Sequence, residues 1–522
     1  MAFAPMGVIT PAVGRMASAL SRLTRHGGSA FPGLVAERID PGFLSRTLDR
    51  LPCGVVLVSG TNGKTTTTRM IATMLEELGL RVFTNPTGSN FTRGVVSALL
   101  GAVDLRGRLD ADIAVLELDE AYAVRFVAQV RPRYAVLLNV LRDQLDRFGE
   151  IDHTADLLGR VAAATTGVVV LNREDPRIAA LASRAATGVD VRYFGLEDKL
   201  RPLFPSDDDM HAGDGMHADD GTDTADAADD TDAADGMGGV GDAMPLDVTV
   251  PTGGASASED VAVPAGRTGA GRLPADVTLV SVGDHEATFM VDGVESTTDV
   301  RLEGVYNLFN ACAALTVVRA VMRELRSTDR IVPVSHGTGS MTETGTGIGN
   351  GNGNGNASTS VASPYDDEIM RALSTVTPAF GRGESIDVDG TPVELLLVKN
   401  PMGFRLSLAS FPPQGHDTMI AICDEYADGR DMSWLWDVDF RSLRDSGVAM
   451  VSGTRAWDMA LRLDYDEVPI GDVDTDLESA VGRFVRSSPG TPKHLYCTYT
   501  AMLRARSVLS RVASVADAGV GR

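Results

Sequence analysis

The stretch best suited to chemistry is Gly60-Thr61-Asn62-Gly63-Lys64-Thr65-Thr66, between the apolar run GVVLVSG and a helix-like segment. In that context the backbone N–H groups of the turn converge on an anion at a helix N-terminus. Lys64 adds a point charge for β- and γ-phosphates, and the Thr65 hydroxyl offers a ligand to Mg²⁺. The common phosphate-loop pattern has a glycine where this chain has Val58, so the loop is a shortened version. A bound cation also calls for a carboxylate at the tip of a neighbouring strand, and AVLELDEA supplies Glu117, Asp119 and Glu120. Glu117 is preferred because Leu116 and Leu118 flank it, and a carboxylate set among apolar residues is costly unless a cation meets it.

A second cluster is Asp424–Phe440, DEYADGRDMSWLWDVDF, with Asp424, Asp428 and Asp431 in a glycine-containing loop. Aspartates in such loops also cap turns. The residues alone leave both roles open.

The elements that must position these groups alternate in kind. From Gly54 to about Phe194, the runs GVVLVSG, ADIAVLELDEA, YAVLLNV, GVVVLN and VRYFG are continuous and rich in Val, Leu and Ile, as in parallel strands covered on both faces. Helical patterns separate them, including Thr65–Leu78, which Gly79 would end. This predicts a doubly wound α/β core. DVTLVSVG, ATFMVDG and a helix from Asn307 into Arg326 extend it. The boundaries expected are a short leader over 1–50, an ATP-binding domain over 51–330, a flexible linker over 331–362 and a smaller α/β domain over 363–522. Residues 205–271 interrupt the first domain with an acidic, then Gly-rich, insertion.

Composition narrows the function. The chain of 522 residues carries a formal charge of -24, and Ser206–Asp242 alone holds 13 Asp with no Lys or Arg. Such a segment cannot repay its ordering entropy and reads as a solvated spacer. No basic face for nucleic acid is expected. Cys53, Cys312, Cys423 and Cys497 are widely spaced, which suits a reducing cytoplasm and neither a disulfide framework nor a zinc ribbon. No apolar run reaches the ~18 residues of a membrane span. The segment Met16–Arg25 could form a short amphipathic helix.

GTNGKT, ELDEA, NVLRDQLDRFGE, GVYNLFNACAA and GRGE, in that order, resemble the Mur ligase superfamily, and within it the MurT family of synthetase subunits. The short leader, the loop NPTGSNFTRG, Gln144 in DQLDRFGE and the Asp424–Phe440 segment carry the narrower resemblance. It implies an ATP- and Mg²⁺-dependent ligase that activates a carboxylate as an acyl phosphate and joins it to an amine. Thr61, Asn62, Gly63, Lys64, Thr65 and Thr66 would hold the triphosphate, with Thr65 and Glu117 at the magnesium. Asn307 and Asn310 match positions near the nucleotide, and Arg382 of GRGE an arginine reaching it from the linker side. Asp428 or Asp431, with Asp424 as third choice, would complete the catalytic pair of a partner glutaminase of the GatD type. The implied reaction is amidation of the α-carboxylate of D-glutamate in lipid II, giving D-isoglutamine, by a cytoplasmic protein working near the inner membrane face. This chain has no Cys/His pair at a nucleophile elbow, so glutamine hydrolysis is expected on a separate chain. It departs from the family in lacking the four-cysteine zinc ribbon, whose place the acidic insertion takes. The alternatives are another ligase of the superfamily, of the folylpolyglutamate or cyanophycin synthetase kind, and a non-catalytic ATP-binding scaffold.

Overall fold

The computed structural model describes residues 31–85, 90–141, 151–203, 272–283, 286–301, 305–327, 364–377, 382–425, 428–513 and 515, with Thr10, Pro11, Gly14 and Met16 ahead of them. Outside the described residues lie Gln144 with the rest of Asp143–Glu150, the insertion at 205–271, the linker at 331–362 and nearly all of Met16–Arg25.

The phosphate-loop sequence sits in a nine-stranded sheet. Its strands are β1 (Val55–Ser59), β2 (Val82–Thr84), β3 (Ile113–Glu117), β4 (Tyr134–Leu137), β5 (Val168–Asn172), β6 (Asp190–Leu196), β7 (Val277–Val282), β8 (Glu286–Val291) and β9 (Val294–Asp299). Their order is β2-β3-β1-β4-β5-β6-β7-β8-β9, parallel through β7 and antiparallel over the last two pairings. The apolar runs mark the buried strands: β1, β3 and β4 are buried at every position. Two strands gave no such run. β2 has three residues, and β9 alternates half-buried and exposed positions as a sheet-edge strand does.

The two faces of this sheet bury separate cores. Met70, Ile71 and Met74 of helix Lys64–Glu77 pack on one face with Leu315, Val318 and Val321 of helix Val305–Ser327. Val95, Phe126 and Leu158, from helices Thr92–Ala102, Glu120–Val127 and Ile151–Ala164, cover the other. At about 1.5–3 kcal/mol per fully buried large apolar side chain, this double cover fixes the strand tips from which the loops depart.

A six-stranded sheet follows, made of β10 (Arg382–Val388), β11 (Thr391–Leu397), β12 (Asp417–Ala421), β13 (Val448–Ser452), β14 (Ile470–Asp474) and β15 (Lys493–Cys497). Its order is β10-β11-β15-β12-β13-β14, with β10 antiparallel to β11 and the others parallel. Helices Pro401–Ser410 and Ala456–Tyr465 cover one face, and Leu477–Phe484 and Tyr499–Leu509 the other. Both sheets belong to one compact unit running through residues 1–208 and 274–522. Among the described residues no helix is long and apolar enough to cross a membrane.

Candidate active site

β1 delivers the chain into the loop, and two glycines allow its path. Gly60 has φ +133° and a Cβ there would lie 3.0 Å from the Asn139 backbone. Gly63 has φ +85° and a Cβ would come within 2.6 Å of Asn310 Oδ1. Both positions therefore exclude other side chains on two counts, conformation and space. Helix Lys64–Glu77 begins directly after Gly63, so its first N–H groups open onto the loop.

The three carboxylates of ELDEA meet three loop residues. Glu117 Oε1 accepts from Thr65 Oγ1 at 2.8 Å. Asp119 Oδ1 lies 3.2 Å from Lys64 Nζ. Glu120 Oε1 stands at 3.5 Å from Thr61 Oγ1. All three are buried, as is Lys64, which also donates to Gly60 O at 2.6 Å and Thr61 O at 3.2 Å. Three buried carboxylates around one buried ammonium leave local negative charge that a divalent cation would offset.

Asparagines complete the frame. Asn85, just after β2, clamps the backbone of Glu117: its Nδ2 donates to Glu117 O at 3.0 Å and its Oδ1 accepts from Glu117 N at 2.9 Å. Asn139, two residues past β4, does the same for Asn62, accepting from Asn62 N at 2.8 Å and donating to Asn62 O at 3.1 Å. Tyr306 OH lies 2.8 Å from Asn139 Nδ2, joining the helix that carries Asn307 and Asn310 to the loop. Asp175 fixes the chain after Asn139 by accepting from Val140 N at 2.8 Å, and also caps helix Pro176–Ala180. Burial pushes its carboxyl up to about 6 despite those N–H donors.

Of the residues expected at the nucleotide, Thr61, Asn62, Gly63, Lys64, Thr65, Glu117 and Asn310 are brought together here. Thr66 is buried in the first turn of the helix, and Asn307 is half-buried one turn before Asn310. Arg382 opens β10 opposite Leu396, and its backbone alone is described. The aspartates of the second cluster stand apart from the loop. Asp428 is buried, its Oδ1 accepting from Thr500 N at 2.7 Å at the start of helix Tyr499–Leu509 and its Oδ2 from Glu425 N at 3.2 Å. Burial raises its carboxyl above the ordinary value of 3.8. Asp431 is exposed and accepts from Ser433 N at 2.9 Å. Asp424 accepts from Thr454 Oγ1 and Arg455 Nε, each at 2.8 Å, and these bonds hold its carboxyl below the ordinary range.

Asn85, Asn139, Tyr306, Lys399 and Asn400 join this frame without being marked by residue spacing. Asn139 carried the same signal as Glu117, a polar residue at the end of an apolar run. Asn400 carried another, an Asn followed by Pro at the start of a helix, where its Oδ1 caps Gly403 N.

The residues fit a magnesium nucleotide. Asn310 Nδ2 and Thr66 Oγ1 are buried beside the loop with no hydrogen-bond partner among the described residues, as donors awaiting an acceptor would be. Thr65 and Glu117 present the hard oxygen ligands that Mg²⁺ takes, one or two from protein and the rest from phosphate and water. No group of three or more His, Cys, Asp or Glu side chains among the described residues could hold a metal unaided. The four cysteines are buried and form no disulfide.

Two family models match the chain. Residues 58–225 match the family model of the Mur ligase middle domain, and residues 397–502 match that of the MurT ligase C-terminal domain. The fold is shared with MurF ligase from Thermotoga maritima in complex with ADP, at a TM-score of 0.56 and 13% identity over 92% of this chain and 84% of that one. It is shared too with a pseudomurein peptide ligase type C from Methanothermus fervidus, at a TM-score of 0.55 and 16% identity over 89% of this chain and 79% of that one. Fold and loop define a Mur-type ligase, a class that works with ATP.

Full-length similarity is narrower. The chain is 27% identical over 500 residues, 94% of each chain, to the lipid II isoglutaminyl synthase (glutamine-hydrolyzing) subunit MurT of Streptococcus pneumoniae. It is 25% identical over 461 residues, 87% of each, to the MurT subunit of Staphylococcus aureus. The chain belongs to the MurT family of Mur ligases.

Proposed function

We propose that this chain is the ATP-binding synthetase subunit of a lipid II isoglutaminyl synthase. Similarity to two MurT subunits along nearly the whole chain carries the reading. The reaction joins ammonia to the α-carboxylate of D-glutamate in the lipid II stem peptide, giving D-isoglutamine. Bound at the loop, ATP would supply the phosphoryl group that converts the carboxylate to an acyl phosphate, from which ammonia displaces phosphate. Lys64 and the loop N–H groups hold the anionic end of the nucleotide, and Thr65 with Glu117 hold its Mg²⁺. Asn85 and Asn139 keep Glu117 and Asn62 at fixed positions, so little reorganisation is needed when charge shifts during transfer. Asn310 and Thr66 would contribute buried donors, and the resemblance adds Asn307 and Arg382 to the nucleotide set.

The ammonia comes from a GatD-type glutaminase bound as a second subunit. Asp431 is exposed and can meet that partner's histidine, orienting it as the aspartate of a triad does. Asp428 is buried, and its capping bonds favour a supporting role. Residues 51–330 form the ATP-binding domain and 363–522 the domain that meets the glutaminase. The work is done in the cytoplasm, beside the membrane face where lipid II is displayed.

The test is reconstitution: purified chain, a GatD-type partner, ATP, Mg²⁺, glutamine and lipid II, with amidation read by mass spectrometry. Amidation that disappears with Glu117→Ala is expected. No amidation by the wild-type pair would sink the reading, and full activity of Glu117→Ala would make the chain a scaffold.

A further inference from the structure

Of the three carboxylates beside the phosphate loop, two have full partners. Glu117 accepts from Thr65 Oγ1 at 2.8 Å, and Asp119 Oδ1 lies 3.2 Å from Lys64 Nζ. Glu120 differs. It is 3% exposed and opens helix Glu120–Val127, and among the described residues its carboxylate meets one donor, Thr61 Oγ1 at 3.5 Å. Even that proton is shared, because the same hydroxyl lies 3.4 Å from Leu141 O. No cation among the described residues stands at ion-pair distance from Glu120.

A carboxylate kept from water by such a contact is costly. Burial of an unpaired charge costs several kcal/mol, and the N-terminal end of its own helix returns only about 0.3–1 kcal/mol. The partner that would offset the rest is a donor arriving with the reactants. Thr65 and Glu117 already present the ligands for Mg²⁺, and the nucleotide itself brings further negative charge. The remaining reactant is ammonia, which has N–H donors and becomes cationic as its lone pair is given up.

We propose that Glu120 is a catalytic residue of the amidation, receiving ammonia and taking its surplus proton. The inference rests on the amide-ligase reading above and deepens it. An N–H of ammonia donates to the Glu120 carboxylate, which leaves the nitrogen lone pair free to face the activated carbonyl carbon. The C–N bond forms from that lone pair, and the C–O bond to phosphate breaks with its electron pair leaving on phosphate. The proton lost by nitrogen passes to Glu120 and from there to water. Ammonia and acyl phosphate thus give amide, phosphate and one proton.

Two nucleophiles test this in the reconstituted pair of full-length subunits. Ammonium chloride gives the amide. Hydroxylamine, a weaker base whose nitrogen sheds its proton readily, traps the acyl phosphate as a hydroxamate. Glu120→Gln keeps the shape and removes the charge. It is expected to slow ammonia-dependent amidation about 100-fold, the scale of a positioned base, while hydroxamate formation and ATP affinity stay near wild type. Its melting temperature should hold or rise, since an unpaired buried charge is gone. Amidation by Glu120→Gln at the wild-type rate overturns the inference. Amide and hydroxamate falling by the same factor overturns it too, by giving Glu120 a role before the nucleophile arrives. Should Glu120→Gln fail to fold, Glu120→Asp carries the same split, with about a tenfold loss for ammonia alone expected and equal losses overturning. A wild-type pair that forms neither product overturns the ligase reading as well.

Discussion

The C-terminal edges of the two sheets both collect acidic residues, yet those residues have different neighbours. Past β3, Glu117, Asp119 and Glu120 face a threonine hydroxyl, a lysine ammonium and a second threonine hydroxyl of one loop. Past β12, Asp428 and Asp431 face backbone N–H groups, and Asp424 faces Thr454 and Arg455. The first set is matched to groups that can turn to an incoming ion. The second is largely engaged in shaping its own segment. A carboxylate bonded to backbone N–H groups is held by the fold whether or not a ligand arrives, whereas one bonded to a hydroxyl can exchange that partner for a cation. Acidic residues after a strand are not by themselves a site; what they face decides.

Substitutions at both edges test this contrast. The largest effect is expected from Lys64→Met, which strands Asp119 and removes the loop's own ammonium: ATP binding should fall by about 100-fold or more, read by calorimetry, with some loss of stability from the unpaired buried charge. Glu117→Gln keeps the shape and an acceptor for Thr65 but not the charge. Turnover should fall roughly 100-fold while the melting temperature holds, since charge aimed at a reacting phosphate is worth several kcal/mol. Retained turnover would return Glu117 to the structural class of the second edge.

Asp175 offers a pH test behind the first edge. Its carboxyl sits at about 6 in the folded protein against 3.8 ordinarily, so the folded chain binds more protons between those values. Stability should therefore fall as pH rises from about 4 to about 6, by on the order of 2 kcal/mol. In Asp175→Asn this slope should flatten, as denaturant titrations across that range would show.

Smaller effects are expected at the second edge. Asp428→Ala should cost about 1 kcal/mol by leaving Thr500 N and Glu425 N without their acceptor, measured by chemical unfolding. Asp431→Ala should change stability by less than about 0.5 kcal/mol, as exposed positions do. If amidation by the assembled pair falls sharply in Asp431→Ala while stability stays put, the exposed aspartate belongs to the partner's chemistry. If it falls only in Asp428→Ala, the buried one does.

Much of the first edge was readable from local sequence. Strand, glycine turn, Lys-Thr and helix form one contiguous pattern, and a carboxylate among leucines announces a cation. Asn139 could have been found by the same rule, since it ends the apolar run of β4. β2 and β9 escaped because β2 has only three residues and β9, VESTTD, has a single apolar one, so neither forms an apolar run. Sequence leaves the roles of the aspartates past β12 open for a physical reason: Asp428 meets Thr500, 72 positions away, and no spacing rule links the two.

What the sequence determined by itself was therefore the chemistry of contiguous segments, because backbone conformation and side-chain period are local properties. It placed a phosphate loop on a helix N-terminus, a carboxylate on the neighbouring strand and two α/β sheets around them. The tertiary structure alone decided which residues meet across the chain. Asn62 with Asn400 and Lys399 with Thr61 are joined by the way two sheets lie together, and Asn310 is pressed onto Gly63 by the packing of a helix from the far end of the first domain. Contacts of that kind depend on the summed packing of both cores, which no single stretch of residues encodes.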